Sequence, residues 1–242
     1  IILVHGDTTT TFAAALAGFY NQKTLGHVEA GLRTWNKYSP FPEEMNRQMT
    51  DDLCDIYFAP TELSKKNLLK QNHPSDQIYV TGNTAIDAMH ETIKDDYRHE
   101  IFNDLDPRKK MVLLTMHRRE NQGSKMKSTF EAIREVVLKR NDVQVVYPVH
   151  LSPKVQEAAH EVLVLRDTTE RPEGVSAGTL KLVGTNGENV KKEMLRLLDD
   201  EEEYQRMANA KNPYGDGHAC ERILDAIAYY FKRTDVRPKD FV

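Results

Sequence analysis

Short apolar runs alternate with amphipathic stretches along the chain, and most of the runs end in a polar cluster. Continuous apolar runs are typical of parallel strands that are buried on both faces. Their alternation with helical patterns predicts a parallel sheet with helices on both faces. In the first part of the chain we predict strands at 1–4, 27–30, 56–59 and 78–83, and helices at 11–22, 43–53, 62–70 and 84–93.

The alternation restarts after a polar, charged stretch at 94–110, where we place a domain boundary. The sequence therefore predicts an α/β protein with two doubly wound, Rossmann-like domains that face a cleft. We expect domains at 1–95 and 96–216, and a C-terminal helical segment at 217–242 that packs back toward the first domain. The predicted strands are 111–115, 143–147, 162–165 and 180–184, with helices at 125–139, from residue 153 to 161, and after 184.

One connection lacks the residues that normally form a turn. The predicted helix that ends at Glu161 continues directly into the predicted strand that begins at Val162. Connections of this kind usually contain about 2–6 residues with turn chemistry. We therefore expect that a segment of the parent protein is missing at this junction. The start of the chain inside a strand, at Ile1, suggests a second missing piece.

The overall composition adds little to this picture. The 242 residues are 39% hydrophobic and 29% charged, with a net charge of −4, which gives no support for binding to nucleic acid or membranes. No apolar run approaches the roughly 18 residues that a membrane span needs. Two distant cysteines, Cys54 and Cys220, fit a reducing compartment, and a single disulfide between them stays open. We expect a cytoplasmic protein.

Two carboxylates lie at or just after the carboxyl ends of predicted strands of the first domain, at the sheet edge where ligands bind in open parallel sheets. Asp7 precedes a helix, so it is either an acid–base group or the cap of that helix. Burial of Glu29 in its strand would make it easier to protonate, as proton transfer requires. The alternative is a structural pair with Arg33. The triplet at 5–7 also fits a metal phosphoesterase, but no further ligand cluster accompanies it, and we predict no metal site.

A third carboxylate stands at the start of the helix that is entered through Pro42. Glu43 and Arg47 are four residues apart and therefore share one helix face. The helix dipole favours a negative charge in the first turn. Together with Glu29, these residues would surround a crevice with acid–base groups and cations that hold anions. The alternative is a plain surface ion pair, worth about 0.2–0.5 kcal/mol.

Basic residues follow the predicted strands of the second domain. His117 and Arg118 follow one strand, His150 follows the next, and Arg166 and Arg171 follow a third. Such a repeat at the carboxyl ends of parallel strands favours an anionic ligand, and the planar guanidinium group suits phosphate oxygens. The alternative is a set of solvated loop charges.

The chain contains seven longer motifs, in this order: HGDTTT, HVEAGLRT, PFPEEMNRQ, TMHRREN, PVHLSP, RDTTERPE and NPYGDGHA. In sequence and order they resemble the non-hydrolysing UDP-N-acetylglucosamine 2-epimerases. The resemblance implies a glycosyltransferase-B-type fold, a homodimer, and a role in cell-envelope polysaccharide synthesis. It implies reversible interconversion of UDP-N-acetylglucosamine and UDP-N-acetylmannosamine without a cofactor or required metal, through loss and return of UDP and a 2-acetamidoglucal intermediate.

The resemblance also implies roles for the carboxylates identified above. Asp7, Glu29 and Glu43 correspond to the acid–base groups of the family. Arg47 lies beside them in the family pattern, and His117 belongs to the same catalytic set. Glu43 also resembles a residue of a second, regulatory UDP-sugar site.

The remaining basic residues resemble ligands of the nucleotide. His117 and Arg171 are similar to residues that bind UDP, and we add Arg33 as a cation that holds the substrate. Arg118 and His150 resemble residues of the regulatory site. UDP-N-acetylglucosamine and UDP are therefore the expected ligands.

The chain departs from the family at two points. The family begins with a strand and an Arg-Pro-Glu loop, which do not occur before Ile1, and has an Asp-Ser-Gly-Gly loop and a glutamate that belong between Glu161 and Val162. These segments grip the substrate, so we predict weak UDP binding and impaired epimerisation. The alternatives are a hydrolysing 2-epimerase, which releases N-acetylmannosamine and UDP, and a non-catalytic nucleotide-sugar-binding remnant.

Overall fold

The computed structural model of the chain describes residues 1–116, 123–149, 181–210 and 212–241. These residues form two compact units. The first unit contains residues 1–94 and 212–241, and the second contains 95–116, 123–149 and 181–210. The predicted helix at 153–161 and the predicted strand at 162–165 lie outside the described residues.

The first unit is built on a parallel sheet whose strands are ordered as they occur in the sequence. Val4 pairs with His27, His27 with Tyr57, and Tyr57 with Ile78, so the carboxyl ends of the strands lie at one edge. Three of the four strands are buried along their whole length, as the continuous apolar runs predicted. The strands are β1 (Ile2–His5), β2 (Leu25–Val28), β3 (Ile56–Ala59) and β4 (Ile78–Val80).

Three helices of the first unit begin at a residue whose side chain caps a free N–H group, whereas the helix entered through Pro42 has no such cap. Thr8 accepts from the Thr11 N–H, Thr61 from the Ser64 N–H, and Asn83 from the Ala85 N–H. The helices are α1 (Thr9–Tyr20), α2 (Glu43–Leu53), α3 (Glu62–Lys70) and α4 (Thr84–Thr92), with a short 3₁₀ turn at Ser75–Gln77.

The second unit contains a parallel pair of strands, in which Lys110 pairs with Val143 and Leu113 with Val146. One apolar cluster of its core contains buried side chains of one strand and two helices, among them Ile133, Val143 and Val190. The described elements are a 3₁₀ turn (Glu100–Asn103), β5 (Lys110–Leu113), α5 (Ser124–Leu138), β6 (Val143–Val146), α6 (Gly187–Asp199) and α7 (Glu201–Ala208).

The strand predicted at 180–184 is wrong for the residues that are described, 181–184, which have no regular secondary structure. Leu182 is exposed, and Lys181 extends to Glu193, 2.6 Å away. Among the described elements of this unit, β5 and β6 pair only with each other. Residues 181–184 therefore form no ladder with either of these strands.

The last helix, α8 (Ala219–Tyr230), belongs to the first unit. Its Ile223 and Ala226 side chains pack in one cluster with Val28, Ile56 and Phe58 of the sheet. The Asp87 carboxylate on α4 accepts hydrogen bonds from the first two N–H groups of α8, at 3.2 and 2.8 Å. In the described part of the chain, no helix is long and apolar enough to cross a membrane.

Candidate active site

Glu29 lies at the carboxyl edge of the first sheet, immediately after β2. The prediction that it belongs to a buried strand is wrong, because β2 ends at Val28 and the Glu29 backbone has φ +71°, in the left-handed region. The N–H groups of Glu29 and Ala30 both donate to the Phe58 carbonyl, at 3.1 Å, which holds this turn. The Glu29 side chain is 19% exposed, and its Oε2 lies 4.0 Å from His5 Nε2. A carboxylate in this position is accessible to a ligand.

The turn after β1 brings Asp7 to the same sheet edge. Gly6 has φ +73°, and its N–H donates to the Val28 carbonyl at 3.0 Å. A Cβ at Gly6 would lie 3.5 Å from Glu29 Oε2, so the backbone here runs close to the Glu29 carboxylate. Asp7 does not cap α1, because Thr8 does. Of the two roles considered for Asp7, the cap is therefore excluded.

The Asp7 carboxylate is paired with the guanidinium group of Arg47, between Asp7 Oδ2 and Arg47 Nη2. The Arg47 side chain is buried, whereas the Asp7 side chain is 26% exposed. The neighbouring Asn46 amide donates to the Asp7 backbone carbonyl at 3.0 Å. Two consecutive residues of α2 thus hold the loop that carries Asp7.

The predicted ion pair between Glu43 and Arg47 is not formed. Arg47 contacts Asp7 and Glu44 instead, and within the described ranges the half-buried Glu43 side chain has no ion-pair partner. The spacing of four residues puts Glu43 and Arg47 on related faces of α2, but Arg47 is directed inward, toward the turn after β1.

Glu44, the neighbour of Glu43, is a site residue that was not predicted from the sequence. Its side chain is fully buried and is hydrogen-bonded to backbone and side-chain donors of the loop before α2 and of α2 itself. The signal was present in the helical spacing, because Glu44, Arg47 and Asp51 lie at i, i+3 and i+7 and form the buried face of the helix.

A buried cluster of charged side chains lies next to the turn that carries Asp7. Asp51 Oδ1 lies 2.5 Å from His27 Nδ1, and Asp51 Oδ2 accepts from Arg33 Nη2 at 2.5 Å. His27 Nε2 lies 2.8 Å from the Gly6 carbonyl oxygen, which can only accept, so this nitrogen donates. Burial acts to raise the pKa of Asp51, but the attraction and hydrogen bonds of His27 and Arg33 outweigh it, and the pKa lies below its usual value.

Arg33 is not at the sheet edge. Its side chain has no solvent exposure, and its guanidinium group donates to Asp51, to Gln71 and to the Leu32 carbonyl. A fully buried arginine with these partners has no donor directed at a ligand. The prediction that Arg33 binds substrate is therefore wrong, and so is its alternative role as the ion-pair partner of Glu29.

The structure thus brings together Asp7, Arg47 and Glu29 at one edge of the first sheet, with Glu43 on the same helix as Arg47. The two partly exposed carboxylates can exchange protons with a ligand. The buried guanidinium group beside them can stabilise negative charge. In the part of the chain that is described, no group of three or more acidic, histidine or cysteine side chains is arranged to hold a metal ion. The predicted residues His117, Arg118, His150, Arg166 and Arg171 lie outside the described residues.

Comparison with known proteins gives strong matches over the chain. A family model described as UDP-N-acetylglucosamine 2-epimerase matches residues 1–163 and 159–228. The UDP-N-acetylglucosamine 2-epimerase of Bacillus subtilis is 49% identical, with 100% of this chain and 75% of the relative covered. That of Escherichia coli K12 is 42% identical, with 94% and 75% covered.

Solved structures agree in fold. A putative UDP-N-acetylglucosamine 2-epimerase from Listeria monocytogenes is 50% identical, with a TM-score of 0.94, and the match covers 99% of this chain and 75% of the other. Staphylococcus aureus MnaA, solved with UDP, is 44% identical, with a TM-score of 0.95 and 99% and 78% covered. A UDP-GlcNAc 2-epimerase from Neisseria meningitidis, solved with UDP-GlcNAc, is 40% identical, with a TM-score of 0.86 and 93% and 75% covered.

The alignments also bear on the junction at Glu161 and Val162. The alignment with the B. subtilis relative runs over 287 positions, more than the 242 residues of this chain. The family model matches in two segments that meet at 159–163. Both observations agree with a family segment that is missing inside the chain.

Proposed function

The chain belongs to the UDP-N-acetylglucosamine 2-epimerase family, and we propose that it catalyses the reversible C2 epimerisation of UDP-N-acetylglucosamine to UDP-N-acetylmannosamine. The names of the relatives support the reaction, and the S. aureus and N. meningitidis structures, solved with UDP and with UDP-GlcNAc, support the ligand. The proposal assigns the proton-transfer steps to carboxylates of the first unit.

The observation that carries this proposal is the position of Asp7 and Glu29 at one sheet edge, with Arg47 paired to Asp7. Epimerisation breaks the C2–H bond and the bond between C1 and the UDP oxygen, and forms a C1–C2 double bond. The proton passes to a carboxylate, and UDP leaves with the electron pair. Return of UDP to C1 and of a proton to the opposite face of C2 gives the epimer. Two faces of one carbon require two proton-transfer groups, which two carboxylates supply.

Arg47 has a clear physical effect in this scheme. Its guanidinium group is paired with the Asp7 carboxylate and holds that carboxylate at the sheet edge, where it can accept a proton from the ligand. We assign Glu43 as the third carboxylate, because it is half-buried in the first turn of α2 and, in the chain as described, no cation occupies it.

The proposal also includes the groups that bind UDP. We assign His117 and Arg171 to UDP, and Arg118 and His150 to a regulatory nucleotide-sugar site. The homodimer and the cytoplasmic location stay predictions. Because the alignment with the B. subtilis relative has more positions than the chain has residues, we propose that part of the nucleotide grip is missing and that turnover is impaired.

The test is incubation with UDP-N-acetylglucosamine in deuterated water, followed by mass spectrometry and proton NMR. Deuterium at C2 together with UDP-N-acetylmannosamine supports the proposal, even at low rate. Release of free N-acetylmannosamine and UDP would instead identify a hydrolysing enzyme. Absence of deuterium at C2, in a protein that still binds UDP-N-acetylglucosamine, would overturn the proposal in favour of a binding protein.

A further inference from the structure

Glu44 has the most completely bonded carboxylate in the described part of the site. Its Oε1 accepts from the Trp35 N–H and from Gln48 Nε2, both at 3.0 Å. Its Oε2 accepts from the Thr34 N–H at 3.1 Å and from Arg47 Nη1 at 3.3 Å. A carboxylate has about four lone-pair sites, and here four donors use them. The side chain has no solvent exposure.

Arg47 therefore stands between two carboxylates. One end of its guanidinium group, Nη1, contacts Glu44, and the other, Nη2, contacts Asp7. Its Nε is buried and has no hydrogen-bond partner among the described residues. The orientation of the guanidinium plane is thus determined by Glu44 on the inner side and by Asp7 on the outer side.

We propose that Glu44 is a positioning residue, which holds Arg47 in the orientation that it needs to pair with Asp7. The catalytic meaning of this role rests on the function proposed above. A single contact at Nη2 would allow the guanidinium plane to rotate about its bonds, whereas a second, charged contact at Nη1 fixes it. Glu44 itself is fully enclosed and does not touch the substrate in this role.

The charge of Glu44 is essential to this proposal, and so is its acceptor-only character. Glutamine has the same shape, but it offers one acceptor oxygen and two N–H donors. In Glu44→Gln the amide NH₂ group would therefore replace one of the two acceptor oxygens. It would face two donors, which are either those of Arg47 and Thr34 or those of Trp35 and Gln48. Among the described residues, the variant would also leave Asp7 as the only anionic partner of the buried Arg47 charge.

A purely structural role for Glu44 makes a different prediction. The carboxylate also fixes the Thr34 and Trp35 N–H groups, and it could serve only to anchor that loop. In that case, loss of the Glu44 charge would change the loop amides and leave the mobility of Arg47 as it is. The two roles are separated by observing the guanidinium group directly.

The experiment is ¹⁵N NMR of the full chain with labelled arginine, in which a held guanidinium group gives separate Nη signals and a rotating one gives an averaged signal. We expect separate Arg47 signals in the wild type. In Glu44→Gln we expect averaging, with rotation at least about tenfold faster, because a hydrogen bond between charged groups is lost. Gln48→Leu is the matched control, since it removes a neutral donor from the other oxygen of Glu44, and its Arg47 signals should stay separate.

A second variant covers the case in which Glu44→Gln does not fold. Asp7→Asn changes a partly exposed side chain and leaves Glu44 in place. The charged contact at Nη1 remains in this variant, and the amide oxygen of the replacement can still accept from Nη2. The proposal therefore expects the Arg47 signals to stay separate, and averaging in folded Asp7→Asn would overturn it. Averaged signals in the wild type, or separate signals in folded Glu44→Gln, would overturn it as well. None of these measurements needs turnover, so an inactive wild type would refute the proposed function without affecting this test.

Discussion

His27 and Asp51 lie 2.5 Å apart in the interior of the first unit, and neither side chain is exposed to solvent. The contact joins the central strand β2 to α2, the helix that also carries Glu44 and Arg47. Through its other ring nitrogen, His27 holds the Gly6 carbonyl in the turn before Asp7. The buried cluster therefore determines how α2 and the turn after β1 are placed relative to each other.

Replacement of Asp51 tests how much this cluster contributes to the free energy of unfolding. Asp51→Asn leaves the buried Arg33 guanidinium without its anionic partner, so we expect a loss of about 3–5 kcal/mol in the free energy of unfolding. Denaturant titration followed by circular dichroism measures it. Asp52→Asn is the matched control, because the Asp52 side chain is 69% exposed, and its effect should stay within about 0.5 kcal/mol. Equal losses in the two variants would contradict the assigned role of the cluster.

The same aspartate predicts a difference in acid stability. The pKa of Asp51 is lowered in the folded state, so its contribution is present above the unfolded-state pKa of about 3.9 and is lost as the pH falls through the folded-state value. We expect the stability difference between wild type and Asp51→Asn to be constant from about pH 5 to 7 and to shrink below about pH 4. Unfolding curves between pH 2 and 7 measure this difference. A difference that grows toward low pH would contradict a lowered pKa of Asp51 in the folded state.

The proposed acid–base groups are tested by isosteric amides. Asp7→Asn and Glu29→Gln should each lower the rate of C2 deuterium exchange by about 100-fold or more, because each removes a proton-transfer group. Melting temperatures should change little, since both side chains are partly exposed. Glu62→Gln, an exposed acid in the first turn of α3, is the control and should exchange at the wild-type rate. Wild-type exchange in both site variants would remove these carboxylates from the mechanism.

Binding of UDP tests the loss of part of the nucleotide grip. We expect isothermal titration to give a Kd in the millimolar range, about −4 kcal/mol in binding free energy. The S. aureus relative that was solved with UDP is the positive control under the same conditions. Micromolar binding by this chain would show that the residues around the junction at Glu161 and Val162 are sufficient for the nucleotide.

Gly31 should not tolerate a side chain. Its φ is +83°, and a Cβ there would lie 2.3 Å from the Ser64 carbonyl oxygen, a backbone atom that has little freedom to move. We expect Gly31→Ala to cost about 2–5 kcal/mol, from left-handed strain and overpacking together. Gly82→Ala is the control within the same unit, since Gly82 has φ +85° but only ordinary contacts, and it should cost about 1–2 kcal/mol. Similar losses in denaturant titrations would mean that the contact with Ser64 relaxes.

Sequence pattern predicted the bounds of α2 and β3 correctly, because Pro42 marks the helix start and four consecutive apolar residues form the strand. It misplaced β2 by two residues. Gly26 weakens a strand pattern, yet the sheet requires it unless the Leu3 side chain moves, since a Cβ there would lie 2.8 Å from that side chain. That requirement depends on the neighbouring strand and is invisible in the local sequence.

The site shows the same limit. Two adjacent glutamates, Glu43 and Glu44, give the same local signal, and only the packing of α2 decides which one is enclosed. Likewise, the sequence places Arg33 near Glu29 but does not reveal that Asp51, eighteen residues further on, is its partner. Periodicity predicts which residues share a face, whereas tertiary packing determines which face is directed inward.

The position of α8 has a consequence for how the protein is made. Ile223 and Ala226 complete a hydrophobic cluster whose other members come from strands within the first 80 residues. A ribosome must therefore translate the whole second unit before the N-terminal sheet receives its final covering helix. During that interval the surface beneath α8 is uncovered, and chaperones that bind nascent chains would find an apolar target there.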